Sequence, residues 1–386
     1  DMTIKQRDAL LASMTDDVAR RVLVDNYQQT QAVSLEATYG RELLGAHGQL
    51  IRFLEAKGGL NRAIEFLPDE KHLIERAQMG HGLTAPEIAI LLAYSKIALK
   101  QAILASNLPD LPEFQKLLVG YFPEAVAKTC AEQIPAHPLR REIITTQIVS
   151  RLVNRMGTTF TQQVGDETGA DLEQIVAAWY AASELLQAET LWHEIEALDL
   201  KIPSPRQMAL MMALRDVVGA ATRQILASRQ AGADIATLIG AYGNAIAQAI
   251  GNAQAGKEGV DAITALLDAR SCIISVFELV DLADSGNQTL EEVATACARL
   301  DASLDLAWFG NAIANLPAGN RWQARARAQL ASDLRALRQS LLQRGTGEAP
   351  AARSIVEELK RNAPQDLAML SAGLLEMKRL LLPANG

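Results

Sequence analysis

The chain has 386 residues, of which 49% are hydrophobic and 21% are charged, a balance typical of a globular protein with a sizeable core rather than a disordered one. Its formal net charge of -8 argues against broad electrostatic attachment to nucleic acid or to an anionic membrane surface. The three cysteines lie far apart and form no C-x-x-C pair, which argues against a disulfide framework or a zinc site and favours a reducing, cytoplasmic compartment.

The N-terminal segment and the most apolar window give no sign of export or of a membrane span. Residues 1–20 carry charged side chains throughout, so they lack the apolar core of a signal peptide. The window 271–283 is interrupted by Glu278 and Asp281, and a buried helix is the better interpretation of it. The chain begins Asp-Met-Thr, which suits a fragment of a longer polypeptide and equally a processed or tagged protein.

Helical periodicity recurs along the chain, and no alternating run bounded by turn residues predicts a strand. Aromatic residues make up only 4% of the chain, which favours helices over strands. The clearest helix is predicted over 84–106, where Thr84 and Glu87 form a T-x-x-E capping box and Pro86 is tolerated in the first turn. The predicted fold class is therefore all-α, a multi-helix array without a substantial β-sheet.

Further helices are predicted from the same signals. Asp171 and Gln174 indicate the start of a helix that reaches about residue 186. The later amphipathic stretches are longer and richer in alanine, and Gly-containing breaks separate them. These stretches cover residues 206–230, 234–254, 259–284 and 319–344.

The change in helix character predicts a division of the chain. It occurs at the Pro-Ser-Pro stretch of residues 202–205, which we interpret as the boundary between two helical subdomains, 1–202 and 203–386. A second break over residues 345–350 predicts a loop before the last two helices.

A search for catalytic, cofactor-binding and metal motifs finds none that is complete. Gly345-Thr346-Gly347 lacks the third glycine of a dinucleotide fingerprint and follows a helix, so a linker is favoured. The stretch 281–292 has some features of an EF-hand, but Ala283 stands where a calcium ligand is needed. The five histidines form no i, i+4 pair. We therefore assign no catalytic, cofactor-binding or metal-binding residue to this chain.

Two basic groups leave more than one interpretation open. Arg140 and Arg141 lie at a predicted helix start, where they oppose the macrodipole, which indicates either an acidic partner nearby or salt-bridged structure. The predicted helix 319–344 carries a basic face that is either solvated or interfacial, or else binds nucleic acid. Its arginines are Arg321, Arg325, Arg327, Arg335, Arg338 and Arg344.

Several long sequence words resemble the large bacterial NAD-specific glutamate dehydrogenases, in the order in which that family has them. The N-terminal words MTDDVA at 14–19 and DNYQQ at 25–29 resemble the segment that follows the dehydrogenase core. The others are GLTAPEIA at 82–89, LLAYSKI at 91–97, YFP at 121–123, HPLRREI at 137–143, VNRMGTTF at 153–160, ETGA at 167–170, Trp192 with IEALD at 195–199, and RWQA at 321–324.

The resemblance implies that this chain is the C-terminal helical region of such an enzyme. The parent would oxidise L-glutamate to 2-oxoglutarate and ammonia with NAD, and its catalytic lysine, Rossmann fold and nicotinamide contacts would precede this chain. The resemblance therefore implies no cofactor in this fragment, NAD in the parent, and no dehydrogenase activity of the fragment alone. The implied partners are the upstream dehydrogenase domain and further copies of the parent in a homo-oligomer, with no nucleic acid and no membrane.

Bracing of the catalytic domain, subunit assembly and regulation are the roles open to such a region, and we prefer bracing and assembly. The polar residues within the matching words are candidate docking contacts, although ordinary hydrogen bonding within the domain explains them equally well. They are Tyr94, Lys96, Arg140, Arg141, Asn154 and Arg155. A free-standing helical adaptor and a nucleic-acid-binding helical protein are the alternative functions.

Overall fold

The computed structural model describes residues 3–228, 230–317, 321–344, 350–362 and 364–381, and its regular structure within these ranges is helical without any strand. The predicted all-α fold is confirmed. The chain divides into two compact units, Asp1–Gln162 and Gln163–Gly386.

The first unit is built from seven α-helices, and an eighth spans the division. Three short 3₁₀ helices, Leu108–Asp110, Pro112–Phe114 and Ile134–Ala136, connect some of them. The α-helices are α1 (Ile4–Thr38), α2 (Gly40–Ala56), α3 (Glu70–Met79), α4 (Ala85–Leu104), α5 (Gln115–Tyr121), α6 (Glu124–Thr129), α7 (Arg140–Met156) and α8 (Phe160–Thr168).

The second unit contains eleven further α-helices among its described residues. They are α9 (Leu172–Leu185), α10 (Ala188–Glu196), α11 (Ser204–Leu226), α12 (Ile235–Gln254), α13 (Gly259–Asp268), α14 (Arg270–Gly286), α15 (Leu290–Leu304), α16 (Leu306–Ala314), α17 (Arg321–Arg344), α18 (Pro350–Arg361) and α19 (Leu367–Leu381).

The predicted helix starts are confirmed in atomic detail. At α4, the carboxylate of Glu87 accepts hydrogen bonds from the backbone N–H and the hydroxyl of Thr84, at 2.7 and 2.8 Å. At α9, Asp171 and Gln174 exchange the two hydrogen bonds of a capping box. These bonds satisfy amides that the first turn of a helix otherwise leaves without partners, so the local sequence fixes where each helix begins.

Two expectations about the later helices differ from the structure. The stretch 259–284 was expected to be continuous, but it is divided into α13 and α14, which meet at Ala269. Both helices are amphipathic, so apolar spacing alone did not reveal the change of direction between them. The later helices were also expected to be the longer ones, whereas α1, with 35 residues, is the longest of those described.

The predicted boundary at residues 202–205 lies within the second unit, as the connection between α10 and α11. These two helices pack against each other, and both also pack against α9. Pro203 is the N-cap of α11 and Pro205 lies in its first turn, so the prolines act here as a helix start. The break predicted over 345–350 falls mainly on residues 345–349, which lie outside the described ranges, and α18 begins at Pro350.

Each unit has its own apolar core. In the first unit, buried residues of α2, α3, α4 and the connections between them form one cluster, against which Val33, Ala37 and Tyr94 pack. In the second unit, one cluster joins α15, α16, α17, α18 and α19 around Phe309, Leu337 and Met377, each with 0% of its surface exposed. The helix arrangement thus follows the burial of one apolar face per helix.

The joint between α1 and α2 is held by a close approach of two backbone segments. A side chain added at Gly82 would overlap the backbone of Gly40, so only glycine allows the segment before α4 to lie against the start of α2. This contact fixes α4 beside the α1–α2 joint, where the candidate site lies.

Candidate functional site

The N-terminal half of α1 is a helix with little cover from the rest of the unit. Residues 3–26 are all exposed or half-exposed, and the buried residues of α1 begin at Ala32. Thr3 starts the helix with a capping box to Gln6. At 1.5 Å per residue, the exposed part is about 34 Å long.

Four apolar side chains of this exposed half define what we call the α1 stripe. They are Ile4, Leu11, Val18 and Val22, with 71%, 54%, 42% and 54% of their surfaces exposed. Spacings of seven, seven and four residues return to the same side of an α-helix, so the four side chains form one row. An exposed apolar row on one side of a helix is the pattern of a helix that packs against a neighbour.

Polar contacts link the middle of α1 to the segment 120–124 of the first unit, where α1 also packs against α6. The carboxylate of Asp17 accepts a hydrogen bond from the backbone N–H of Glu124 at 3.3 Å, and the guanidinium of Arg21 donates to the carbonyl oxygen of Gly120 at 2.6 Å. Hydrogen bonds from Arg21 and then Arg20 hold the pKa of Asp17 below its ordinary value. These contacts orient α1 beside α6 without covering the α1 stripe.

The C-terminal half of α1 ends in a buried carboxylate with three donors, which we call the Glu36 anchor. Glu36 is 1% exposed. Its carboxylate accepts hydrogen bonds from the backbone N–H of Thr158 at 2.7 Å and from the Thr158 hydroxyl at 2.8 Å, and it lies 3.1 Å from Nε2 of His47. A buried carboxylate is stable only when donors surround it. The side chain of Glu36 therefore holds α1, α2 and the turn at Thr158 together.

Local backbone geometry presents the donors to Glu36. α7 ends at Gly157, whose φ of 86° is one that favours glycine, and the chain turns there so that the amide of Thr158 points at the carboxylate. His47 comes from α2, directly after the joint at Tyr39. The Glu36 anchor therefore ties α1 to α2 and to the turn between α7 and α8.

Two of the predicted docking residues lie on α4. The Tyr94 hydroxyl donates to Glu65 at 2.7 Å, and this hydrogen bond raises the pKa of Tyr94. Lys96 is half-buried and forms no hydrogen bond or salt bridge in the described part of the chain. Burial lowers the pKa of Lys96, and the charge of Asp25 on α1 only partly offsets this effect.

The other four predicted docking residues lie on α7. Arg140 and Arg141 both pair with Asp110, and Arg141 also donates to the carbonyl oxygens of Leu104 and Ser106, at 2.8 and 3.0 Å. Of the two interpretations of their position at a helix start, salt-bridged structure is the one these pairs with Asp110 support. The guanidinium of Arg141 also neutralises the C-terminal end of α4.

Asn154 and Arg155, in the last turn of α7, are buried, with 7% and 4% of their surfaces exposed. The side-chain amide of Asn154 has no hydrogen-bond partner within the described residues. The structure thus brings the predicted residues together only in pairs, on α4 and at the two ends of α7. Their role in docking stays a prediction, and Asn154 and Arg155 have little surface available for it.

Two arginines of the basic face of α17, Arg327 and Arg338, form ion pairs inside the second unit. Arg338 pairs with Glu278 at 3.1 Å and with Asp301 at 2.7 Å. Arg327 pairs with Glu167 at 3.1 Å, and that carboxylate also binds Arg223. The side chains of Arg321 and Arg344 lie outside the description. Acidic neighbours therefore already match the charges of Arg327 and Arg338.

Sequence reasoning missed the α1 stripe and the Glu36 anchor. The spacing of Ile4, Leu11 and Val18 was a usable signal for the stripe, but four apolar positions over 19 residues form a weak pattern. Among the described residues, no group of side chains could hold a metal ion. None of the described helices combines the length and apolar character that crossing a membrane requires.

The fold and these contacts define an all-helical region whose first helix is exposed over its N-terminal half. The family model described as "Glutamate dehydrogenase, C-terminal" matches residues 80–255 and 252–379, and the chain belongs to this family. The model described as "Bacterial NAD-glutamate dehydrogenase, catalytic domain" matches residues 1–36, which end at Glu36 of α1. The resemblance noted in the sequence to the C-terminal region of the large bacterial enzymes is confirmed.

Curated relatives agree with both matches. The chain is 37% identical over 369 residues to the NAD-specific glutamate dehydrogenase of Pseudomonas aeruginosa, covering 90% of this chain and 23% of the relative. It is 34% identical over 352 residues to that of Halomonas elongata, covering 86% of this chain and 22% of the relative. With the Mycobacterium tuberculosis enzyme it shares 36% identity over 205 residues, 53% of this chain and 13% of the relative. The chain thus spans less than a quarter of the length of these relatives.

Proposed function

We propose that this chain is the non-catalytic C-terminal region of an NAD-specific glutamate dehydrogenase and that it braces the catalytic domain. In this proposal the full-length enzyme oxidises L-glutamate with NAD and water to 2-oxoglutarate, ammonia and NADH. The groups that bind NAD and glutamate belong to the preceding part of the polypeptide. This chain contributes position, and alone it has no dehydrogenase activity.

The observation that carries the proposal is the continuity of α1. Residues 1–36 match the catalytic-domain family, while Ala32, Leu35 and Glu36 of the same helix are buried in the first unit. A helix without a break transmits position far better than a flexible linker, because its residues keep a fixed rise and rotation. The Glu36 anchor gives this helix a firm attachment to the region that follows it.

Partners follow from the same proposal. The catalytic domain of the same polypeptide is the direct partner, and the full-length enzyme is a homo-oligomer in which helical regions add subunit contacts. Nucleic acid and membranes are not proposed as partners. The salt bridges of Arg327 and Arg338 support this choice, because charges paired inside a unit contribute little to binding phosphates.

The proposal is tested by mixing this chain with a separately produced upstream portion of the enzyme. Glutamate-dependent NADH formation and co-elution by size are followed, and a chain of the same length with scrambled sequence serves as the control. Restored activity with a stable complex is the expected result. Binding without activity would reduce the role to assembly or control. An upstream portion that is fully active and ignores this chain would overturn the proposal and favour a free-standing adaptor.

A further inference from the structure

The α1 stripe and the Glu36 anchor lie on the same side of one helix. Val18 and Glu36 are 18 residues apart, which is about five turns, so their side chains point in nearly the same direction. At Glu36 this side is covered by α2 and by the turn that carries Thr158. At Val18, Leu11 and Ile4 the same side is exposed. The covered side of α1 is thus continuous with an apolar row that stays largely exposed among the described residues.

An apolar row along one side of a helix favours a contact with another surface. A helix of this length gains most of its stability from packing of an apolar side, because helix propensity alone makes a short isolated helix marginal. Burying a Leu, Ile or Val side chain stabilises a helix relative to leaving that side chain exposed. The opposite side of the same segment carries Ala9, Ser13 and Arg20, which suit contact with water. Leu23 and Val24 are also exposed and lie outside the row, but the row itself fits one neighbour on one side of α1.

We propose that the α1 stripe packs against an apolar surface of the catalytic domain of the same polypeptide. The inference rests on the proposed function and names its contact. The occupant is chosen because residues 1–36 match the catalytic-domain family and because more than three quarters of each curated relative lies outside the matched region. The seam is formed by Ile4, Leu11, Val18 and Val22, and the Glu36 anchor sets which side of α1 faces the catalytic domain.

Cysteine accessibility in the full-length enzyme tests this contact. Leu11→Cys and Val18→Cys place a thiol in the seam, while Ala9→Cys and Ser13→Cys are matched controls on the opposite side of the same turns. Maleimide labelling is followed site by site with peptide mass spectrometry, which separates the new thiol from the native cysteines. Labelling at the seam positions is expected to be at least about tenfold slower than at the controls, because a packed side chain reacts only through local opening.

A second comparison uses charge. Leu11→Asp with Val18→Asp is compared with Ala9→Asp with Ser13→Asp, so both variants of the full-length enzyme gain two carboxylates. The seam pair is expected to weaken attachment of the helical region by about tenfold or more, because truncated anchor residues of an interface commonly cost that much. Limited proteolysis within α1 measures the attachment. The control pair is expected to leave the cleavage rate unchanged.

The outcomes separate this inference from the proposed function. Equal labelling at all four positions overturns the seam, and the bracing proposal then survives only if the mixing experiment still gives a complex through another surface. Protection that disappears when the enzyme dissociates into monomers would assign the stripe to a second copy and overturn the chosen occupant. Protection that persists in the monomer, together with sensitivity to the seam pair alone, supports the contact with the catalytic domain.

Discussion

The Glu36 anchor makes a strong prediction about the stability of the first unit. In Glu36→Ala, the backbone N–H of Thr158 and the Nε2 group of His47 lose their acceptor inside the protein. The Thr158 hydroxyl can rotate, but the other two groups stay buried, and each buried group left without a partner costs about 1 to 3 kcal/mol. With the cavity left by the side chain, we expect the free energy of unfolding to fall by about 3 to 5 kcal/mol.

The assay is urea unfolding of this chain followed by two probes. All four tryptophans lie in the second unit, so their fluorescence reports on that unit, whereas far-ultraviolet circular dichroism reports on both. A loss of this size should lower the urea midpoint of the first unit, and in a thermal melt it corresponds to about 10 °C for a unit of this length. As urea is added, the circular dichroism signal should therefore change at a lower concentration than the tryptophan fluorescence does.

Ser95→Ala is the matched control for this prediction. Ser95 is also buried beside the anchor, but its hydroxyl makes only a long contact, 3.5 Å, to the carbonyl oxygen of Thr158. We expect its loss to cost less than about 1 kcal/mol. If Glu36→Ala costs no more than Ser95→Ala, the three hydrogen bonds do not hold α1 in place and the reasoning fails.

Three further predictions concern charge. Burial lowers the pKa of Lys96, so the charged form of this side chain destabilises the fold. Lys96→Met should therefore raise the free energy of unfolding at pH 7, relative to Lys100→Met at an exposed position of the same helix. This gain in stability should vanish as the pH approaches 10.5, the ordinary pKa of lysine. Burial alone would raise the pKa of Glu87, but the pair with Arg76 and the N-cap bonds lower it below 4.5. Glu87→Gln should therefore lower the free energy of unfolding by about 1 to 3 kcal/mol at pH 7. Urea unfolding should show that this loss becomes smaller as the pH falls through the lowered pKa of Glu87. Glu167→Gln, which weakens two arginine pairs, should lower the tryptophan-monitored melting temperature of the second unit, and an unchanged value would count against it.

The helix starts were the most predictable part of the fold because capping is local. Thr84 with Glu87 and Asp171 with Gln174 carry their information within four residues, and the structure forms the bonds that the spacing indicated. The division of 259–284 at Ala269 was not predictable in this way. It depends on how two amphipathic helices turn against a common core, which a single apolar pattern does not encode.

The polar residues of the matching words show a second limit. Arg140 and Arg141 could be placed at a helix start from sequence, but their partner Asp110 lies 30 residues from Arg140 and only the tertiary fold brings it near. Glu36 and Thr158 are separated by 122 residues, and neither has a distinctive local pattern. A buried carboxylate of this kind becomes visible only once its donors are located, because a lone Glu on a helix is usually solvated.

The proposed function accounts for the weak apolar pattern of α1. Its C-terminal half has Ala32 and Leu35 buried in the first unit, whereas the α1 stripe in its N-terminal half is exposed among the described residues and would face the catalytic domain. A flexible connection would let the helical region move freely and could not brace a catalytic domain. A continuous helix fixes both distance and rotation, so the Glu36 anchor at one end determines the direction in which Val18 faces at the other. In the proposed function, the buried carboxylate thereby orients a contact about 27 Å away along the helix, and it does so without touching substrate or cofactor.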